Sequence, residues 1–466
     1  MNEKKKFVMP DSLIIVAAIV LLMAILSWVI PSGSYEYHDV DINGTIRSLA
    51  IDGTYHEIDK SEVTTTGFLG FFTSFYRGCV DAADVIFMIM CCCGTFGVVV
   101  KTGAFHAGIG TILRKLGGKE VLLIPIMMLI FGAGGSVFGM ASEFYGFYPL
   151  IVGMGVALGY DAMLGFGIIA VGEFVGFMGG TINPYTVGVA QRISEVELYS
   201  GTGYRAVCFI VFMAISIFYV MRYANKIKKN PQLSVMQGEQ SIHAFERSEL
   251  DQYKFSKKDG LVLLDVLVVL IVLMYGLMNL GWGYGELCGL FLIMSMVAGL
   301  ICKWSPNKWC DEFIDSAKTV VWGCILTGVA KGIMVVMQDA QIADTVIYYL
   351  SGLLKNAPEF LSAQLMLIVQ TLISCLIPSA TGQAATTMPI MSQLADIIGV
   401  TRQTAVLAFQ FGDGLTNIFS PTADIVIICG LGGISLQKWY KWFTPLFFIL
   451  LLAQMVMLGI AVAIGY

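Results

Sequence analysis

Three acids in this chain stand where acids are costly. Glu143, Glu173 and Asp413 lie in or beside apolar stretches that are interrupted by glycine, serine, asparagine and proline. A carboxylate at membrane depth has to face the interior and meet a cation, a proton or a network of donors. The first interruption reads Gly132-Ala133-Gly134-Gly135-Ser136-Val137-Phe138-Gly139-Met140-Ala141-Ser142-Glu143, and a matching one reads Pro378-Ser379-Ala380-Thr381-Gly382-Gln383. Ser136, Gly139 and Ser142 in one, and Ser379, Thr381, Gly382 and Gln383 in the other, offer hydroxyls, amides and exposed backbone. Such runs suit the tip of a re-entrant hairpin that ligates a small solute; close helix packing through small residues is the structural alternative.

Two further interruptions carry Asn183 and Thr186 in one half, and Thr416, Asn417, Ser420 and Thr422 in the other. Side-chain oxygens beside freed carbonyls suit a sodium ion, near Asn183 and near Asn417, while half-helix N-termini favour a carboxylate. Helix capping is the structural alternative. Coupling to Na+ or H+ is therefore expected, with no cofactor. Lys331, inside the apolar stretch 320–337, is either a structural partner for these acids or a fixed cation for a substrate carboxylate. Arg402 and Asp161 stand at matching membrane edges, where Arg402 is expected to snorkel.

Other chemistry is poorly supplied. His38, His56 and His243 fall in polar loops and His106 in an amphipathic stretch, so no buried metal triad or catalytic dyad assembles. The 11 cysteines include the adjacent Cys91, Cys92 and Cys93 and no zinc-like pair, and they read as small packing residues.

These residues are carried by a chain in which 57% of the 466 residues are hydrophobic and 13% charged, which makes the bilayer its solvent. Roughly eleven spans of about 30 Å of hydrocarbon are expected. Between Arg222 and Lys258 there are eight Lys/Arg, whereas 32–65 holds only Arg47 and Lys60 beside seven acids. The positive-inside rule then places the N-terminus and the central loop in the cytoplasm and the C-terminus outside. The reading divides the chain into an N-terminal anchor span (1–34), an extracytoplasmic polar loop (35–65), a first repeat (66–224), a cytoplasmic linker (225–258) and a second repeat (259–466).

The repeats rest on a fixed offset of 240 residues, which superposes Pro149 on Pro389, Gly159 on Gly399, and Gly172-Glu173 on Gly412-Asp413. After a slip of three residues, Asn183-Pro184-Tyr185-Thr186 answers Ser420-Pro421-Thr422. Each half is expected to hold a short amphipathic stretch (105–116; 342–354), a hairpin (near 132–150; near 372–396) and a broken helix (near 164–190; near 403–430). Paired interruptions of this kind point to a carrier's binding site. An odd number of crossings between equivalent points makes the halves inverted. The fold class is thus an all-α polytopic membrane protein with two inverted repeats.

At Met9-Pro10-Asp11, Trp28 to Gly33, Gly135 to Met140 with Glu143, Phe147 to Leu150, and above all Gly382 to Ile390 through Phe409-Gln410-Phe411-Gly412-Asp413-Gly414 to Asn417 and Ser420-Pro421-Thr422, the sequence resembles the YfcC/DcuC-like carriers of the ion transporter superfamily. Ser142-Glu143 departs from the two adjacent acids usual there. The resemblance implies a homodimer, a scaffold part and a transport part that moves as an elevator, and gradient-driven or exchange transport. It associates members with C4-dicarboxylates and relatives with arginine–ornithine exchange.

The expectation is a secondary active transporter, symporter or exchanger, working by alternating access in a bacterial cytoplasmic (inner) membrane. Its partners are the lipid bilayer and a small charged metabolite, an amino acid such as arginine or ornithine, or a C4-dicarboxylate, and not nucleic acid. An ion or solute channel is the alternative, and a membrane-embedded enzyme a more distant one, since no nucleophile–base set is present.

Overall fold

A computed structural model describes residues 10–42, 45–116, 120–237, 255–280, 282–352 and 358–466. His243 and part of the 225–258 linker lie outside the described residues. Helix α1 (Ser12–Val29) starts where the apolar run starts, because the Asp11 side chain accepts the Leu13 N–H at 2.8 Å.

The 35–65 stretch, expected only as a polar loop, is a small β cap. Strand β1 (Ser32–Ser34) pairs with β4 (His56–Ile58), and β2 (Tyr37–Ile42) pairs antiparallel with β3 (Thr45–Ala50). The sequence signal for β2–β3 is the Asn43-Gly44 pair that two-residue hairpins favour. The cap is tied to α14 (Ala343–Gly352), where Asp344 accepts the Tyr37 hydroxyl at 2.7 Å and the Tyr35 N–H at 3.0 Å. Burial and the Asp344 carboxylate push the Tyr37 hydroxyl above its ordinary range, so it stays a donor. Tyr55 stacks on Tyr348 with ring centroids 4.1 Å apart.

The chain then runs through α2 (Phe68–Asp81), α3 (Ala83–Lys101), the amphipathic α4 (Ala104–Leu116), α5 (Leu123–Ala133), α6 (Tyr148–Ala157), α7 (Ala162–Met178), α8 (Val189–Ile193) and α9 (Thr202–Lys229). After the linker come α10 (Lys257–Asn279), α11 (Tyr284–Ile301), α12 (Pro306–Lys318), α13 (Val321–Asp339), α14, α15 (Glu359–Leu376), α16 (Ala380–Ile398), α17 (Arg402–Asn417), α18 (Ile425–Gly432) and α19 (Leu436–Ile464). Among the described residues eight helices are long and apolar enough to cross a membrane, rather than about eleven. The difference lies in α1, expected as the anchor span and apolar only over Leu13–Val29, in α7, and in the arms beside the breaks, all shorter than the eight.

Packing is reciprocal between the two stretches. Helix α5 packs on α7 as α15 packs on α17; α7 meets α9 as α17 meets α19; α6 meets α18 as α16 meets α8. Likewise α3 packs against α11 and α12, and α13 against α1 and α2. Small residues allow these approaches: a Cβ added to Gly176 on α7 would stand 2.1 Å from the Gly132 carbonyl oxygen on α5. Lys331 pairs with Asp81 at 3.5 Å, and not with Glu143, Glu173 or Asp413, because α13 packs on α2 away from the breaks.

Gly176→Val is expected to cost about 3 kcal/mol or more by overpacking. Gly285→Ala, on a helix with nothing within 4 Å of the new methyl, is expected to be neutral or to stabilise by up to about 1 kcal/mol. Thermal unfolding of detergent-purified protein measures both. Asp344→Ala removes the acceptor of three cap hydrogen bonds, from Ser34, Tyr35 and Tyr37, so limited proteolysis should cut 32–58 faster while the helices stay intact; an unchanged rate would show that the remaining cap contacts suffice without Asp344.

Candidate functional site

Four interruptions meet near the middle of the bundle. Helix α5 continues as a π turn at 134–138 and ends at Gly139, whose φ of 67° is the left-handed conformation that glycine adopts without strain. A Cβ at Gly139 would lie 2.4 Å from Asn183 Oδ1, so the turn can press against the break after α7 only as glycine. A 3₁₀ segment at 142–147 then leads into α6. The interruptions after α7 (179–183), after α15 (377–379) and after α17 (418–424) complete the set.

The first pair of breaks holds itself together. Ser136 Oγ donates to the Gly179 carbonyl at 2.9 Å, and the Thr181 N–H donates to the Ser136 carbonyl at 2.9 Å. Asn183 is occupied as a cap: its Oδ1 accepts the Tyr185 and Thr186 N–H groups at 2.9 and 3.2 Å, and its Nδ2 faces the Gly135 carbonyl at 3.4 Å. The capping reading therefore accounts for every polar atom of Asn183. Thr186 Oγ1 is buried without a protein partner. Glu143 Oε2 accepts the Ala141 N–H at 3.0 Å and closes the turn, while Ser142 is half-buried.

The second pair follows the same plan with different groups. Thr422 Oγ1 donates to the Cys375 carbonyl at 2.7 Å and meets Ser420 Oγ at 2.7 Å. Thr416 Oγ1 donates to the Gly412 carbonyl at 2.6 Å, and Asn417 is buried at the end of the same helix. Thr381, Gly382 and Gln383 are not at an open tip as expected; they form the first turn of α16, because Ser379 caps that helix by accepting the Gly382 N–H at 3.3 Å. Ser379 itself is exposed. Gln383 is buried, and its Nε2 donates to Gln370 on α15 at 2.7 Å.

The end of α7, just before its break, packs against the second half of α17. Gln410 Nε2 donates to the Phe177 carbonyl, and a Cβ at Gly414 would stand 2.3 Å from Met178 Cα. One turn away on each helix lies a fully buried acid. Glu173 accepts the Tyr148 hydroxyl at 2.9 Å through Oε2, and Oε1 has no partner. Asp413 meets Ser374 Oγ at 3.4 Å through Oδ1, and Oδ2 has no partner. Asp424, after the second break, accepts the Tyr145 hydroxyl at 3.0 Å and stands within electrostatic reach of Glu143, Glu173 and Asp413. Among the described residues no three metal-ligating side chains converge.

Tyr145, Tyr148, Ser374 and Asp424 escape a reading of the sequence. Asp424 carries a signal, an acid directly before the apolar run Ile425–Gly432. The hydroxyl partners carry none, because spacing alone does not show which carboxylate a tyrosine reaches. Arg402 is paired with Asp396 and Glu195 at 2.8 Å, and Asp161 caps α7.

Residues 9–463 match the family described as the C4-dicarboxylate anaerobic carrier. The chain is 29% identical to YfcC of Escherichia coli strain K12, named as a candidate basic amino acid antiporter, over 99% of this chain and 98% of that protein. It is 26% identical to an uncharacterized protein of Haemophilus influenzae, over 99% of each. Among solved structures it is similar to Neisseria gonorrhoeae MtrF, described with a class of antimetabolite efflux pumps, at 18% identity and a TM-score of 0.48, covering 98% of this chain and 96% of that one. The YdaH transporter of Alcanivorax borkumensis gives 16% identity and a TM-score of 0.43, covering 98% and 99%. A family match that runs almost from end to end decides the matter: the chain belongs to the C4-dicarboxylate anaerobic carrier family and is a multi-pass membrane transporter, not an enzyme.

Proposed function

We propose that this protein is a secondary exchanger of cationic amino acids, working by alternating access in a bacterial inner membrane. The observation that carries the reading is the pair Glu173 and Asp413: both are fully buried, and each keeps one carboxylate oxygen without a partner. An ionised carboxylate in that state costs several kcal/mol, and a guanidinium, an ammonium group, a proton or Na+ removes the cost. An empty carrier that is unfavourable until a cation arrives is suited to exchange. The basic amino acid named for the Escherichia coli relative fits this charge balance. The dicarboxylate of the family description would bring two more negative charges towards four acids.

The inverted repeat belongs to the same proposal, supported by the reciprocal packing of α5–α7 with α15–α17 and of α6–α18 with α16–α8. An elevator motion is supported by the division of packing, with α5–α9 and α15–α19 against each other and α1–α3 against α11–α13. The homodimer rests on the family resemblance. The same proposal has the end of α9 in the cytoplasm and the β cap outside, a reading supported by Lys226, Lys228 and Lys229 in the last turn of α9.

Counterflow in proteoliposomes tests the substrate. Vesicles loaded with ornithine should take up labelled arginine, and vesicles loaded with succinate should not; succinate counterflow without arginine counterflow would overturn the reading. Asp413→Asn keeps the shape and the Ser374 contact but loses the charge. Exchange should fall by the worth of a buried charge pair, about 2–5 kcal/mol, at unchanged melting temperature. Tyr148→Phe removes a donor to a charged acceptor, worth about 1.5–3 kcal/mol, and should shift apparent substrate affinity while the fold persists.

A further inference from the structure

The last helix of each half reaches back to the break in its own half, and it does so from equivalent positions. Arg205 is the fourth residue of α9 and Trp439 the fourth residue of α19. Arg205 Nε donates to the Thr181 carbonyl at 2.9 Å, and Trp439 Nε1 donates to the Ile418 carbonyl at 3.0 Å. Thr181 precedes Asn183 by two residues, as Ile418 precedes Ser420, so the two N–H groups brace the same freed carbonyl in the two breaks. Both side chains are fully buried, with exposures of 1% and 0%.

The two braces differ in charge. The indole is neutral, whereas the guanidinium carries a full positive charge and spends its other groups on the Tyr466 hydroxyl at 2.9 Å and Thr202 Oγ1 at 3.2 Å. Among the described residues it makes no ion pair, although a buried arginine ordinarily takes one. Unwound carbonyls at such breaks are ligands that carriers use for a coupling cation. In the first break that ligand is already bound to a cation on a covalent tether.

Resting on the carrier reading above, we infer that Arg205 is a built-in cation standing in for a mobile coupling ion at the first break. Trp439 reproduces the brace without the charge, and the second break, beside Asp413, is left as the one that takes a cation from solution. Arg205 is a positioning residue in this scheme: it acts on substrate through the Thr181 carbonyl and the charge balance of the site.

Arginine–ornithine counterflow is measured with NaCl, LiCl or choline chloride on both sides. Arg205→Lys keeps the charge and should exchange as the wild type does in all three salts. Arg205→Gln keeps an N–H but not the charge, and should be stimulated about tenfold by Na+ or Li+ over choline, beyond any stimulation of the wild type. Arg205→Trp, which copies the second half, should behave like Arg205→Gln, and it is scored by the same criterion if the glutamine variant does not fold. The inference is overturned if the neutral variants respond to Na+ as the wild type does, or if Arg205→Lys responds as they do. Absence of counterflow in the wild type would instead count against the exchanger reading, so the two failures are distinguishable.

Discussion

A peptide group released from a helix at membrane depth exposes an N–H and a C=O that lipid cannot satisfy, and the interior of this protein is arranged around four places where that happens. Five carbonyls at or beside the breaks are met by a side chain from another element. Ser136 takes Gly179, Arg205 takes Thr181, Thr422 takes Cys375, Trp439 takes Ile418, and Tyr440 takes Phe419 at 2.8 Å. The breaks are therefore held open by specific bonds, and the glycines at 139, 176 and 414 let the backbones approach closely enough to make them.

This bracing separates two kinds of polarity. Backbone groups are satisfied by partners that cannot leave, whereas Glu173 and Asp413 each keep one buried oxygen that no described residue meets. A site with fixed walls and unsatisfied carboxylates discriminates by charge first and by shape second, because an uncompensated buried charge costs more than a missing methylene contact. Tyr148 and Tyr145 fix the second oxygen of Glu173 and one oxygen of Asp424, so the direction in which each acid points is set before any ligand binds.

The large-scale plan is legible in the residues because it follows from the bilayer: long apolar runs, basic ends and glycine-rich interruptions each have a physical cause that acts locally. The amphipathic helix expected over 105–116 occurs as Ala104–Leu116, and the break at Gly139 lies within the run that announced it. Local capping misleads at Thr381-Gly382-Gln383, where small polar residues that look like a loop continue a helix because Ser379 caps it. The partner of Lys331 and the hydroxyls on Glu173 and Asp424 were not legible, since they depend on which helices lie side by side. The β cap was missed for a plainer reason: its strands are three to six residues long and carry little apolar alternation.

The same cap touches two helices, α14 and α16, and it does so unequally. Strand β1 and Asp344 bind it to α14 by hydrogen bonds, while β3 lies on α16 across a cavity of about 290 Å³ with no hydrogen bond between them among the described residues. A contact held by dispersion alone costs less to shift than one held by hydrogen bonds to a buried carboxylate, so the Asp344 side is the firmer of the two. Among the described residues the cap is thus an awning fastened by hydrogen bonds along its β1 eave and resting by packing alone along its β3 eave.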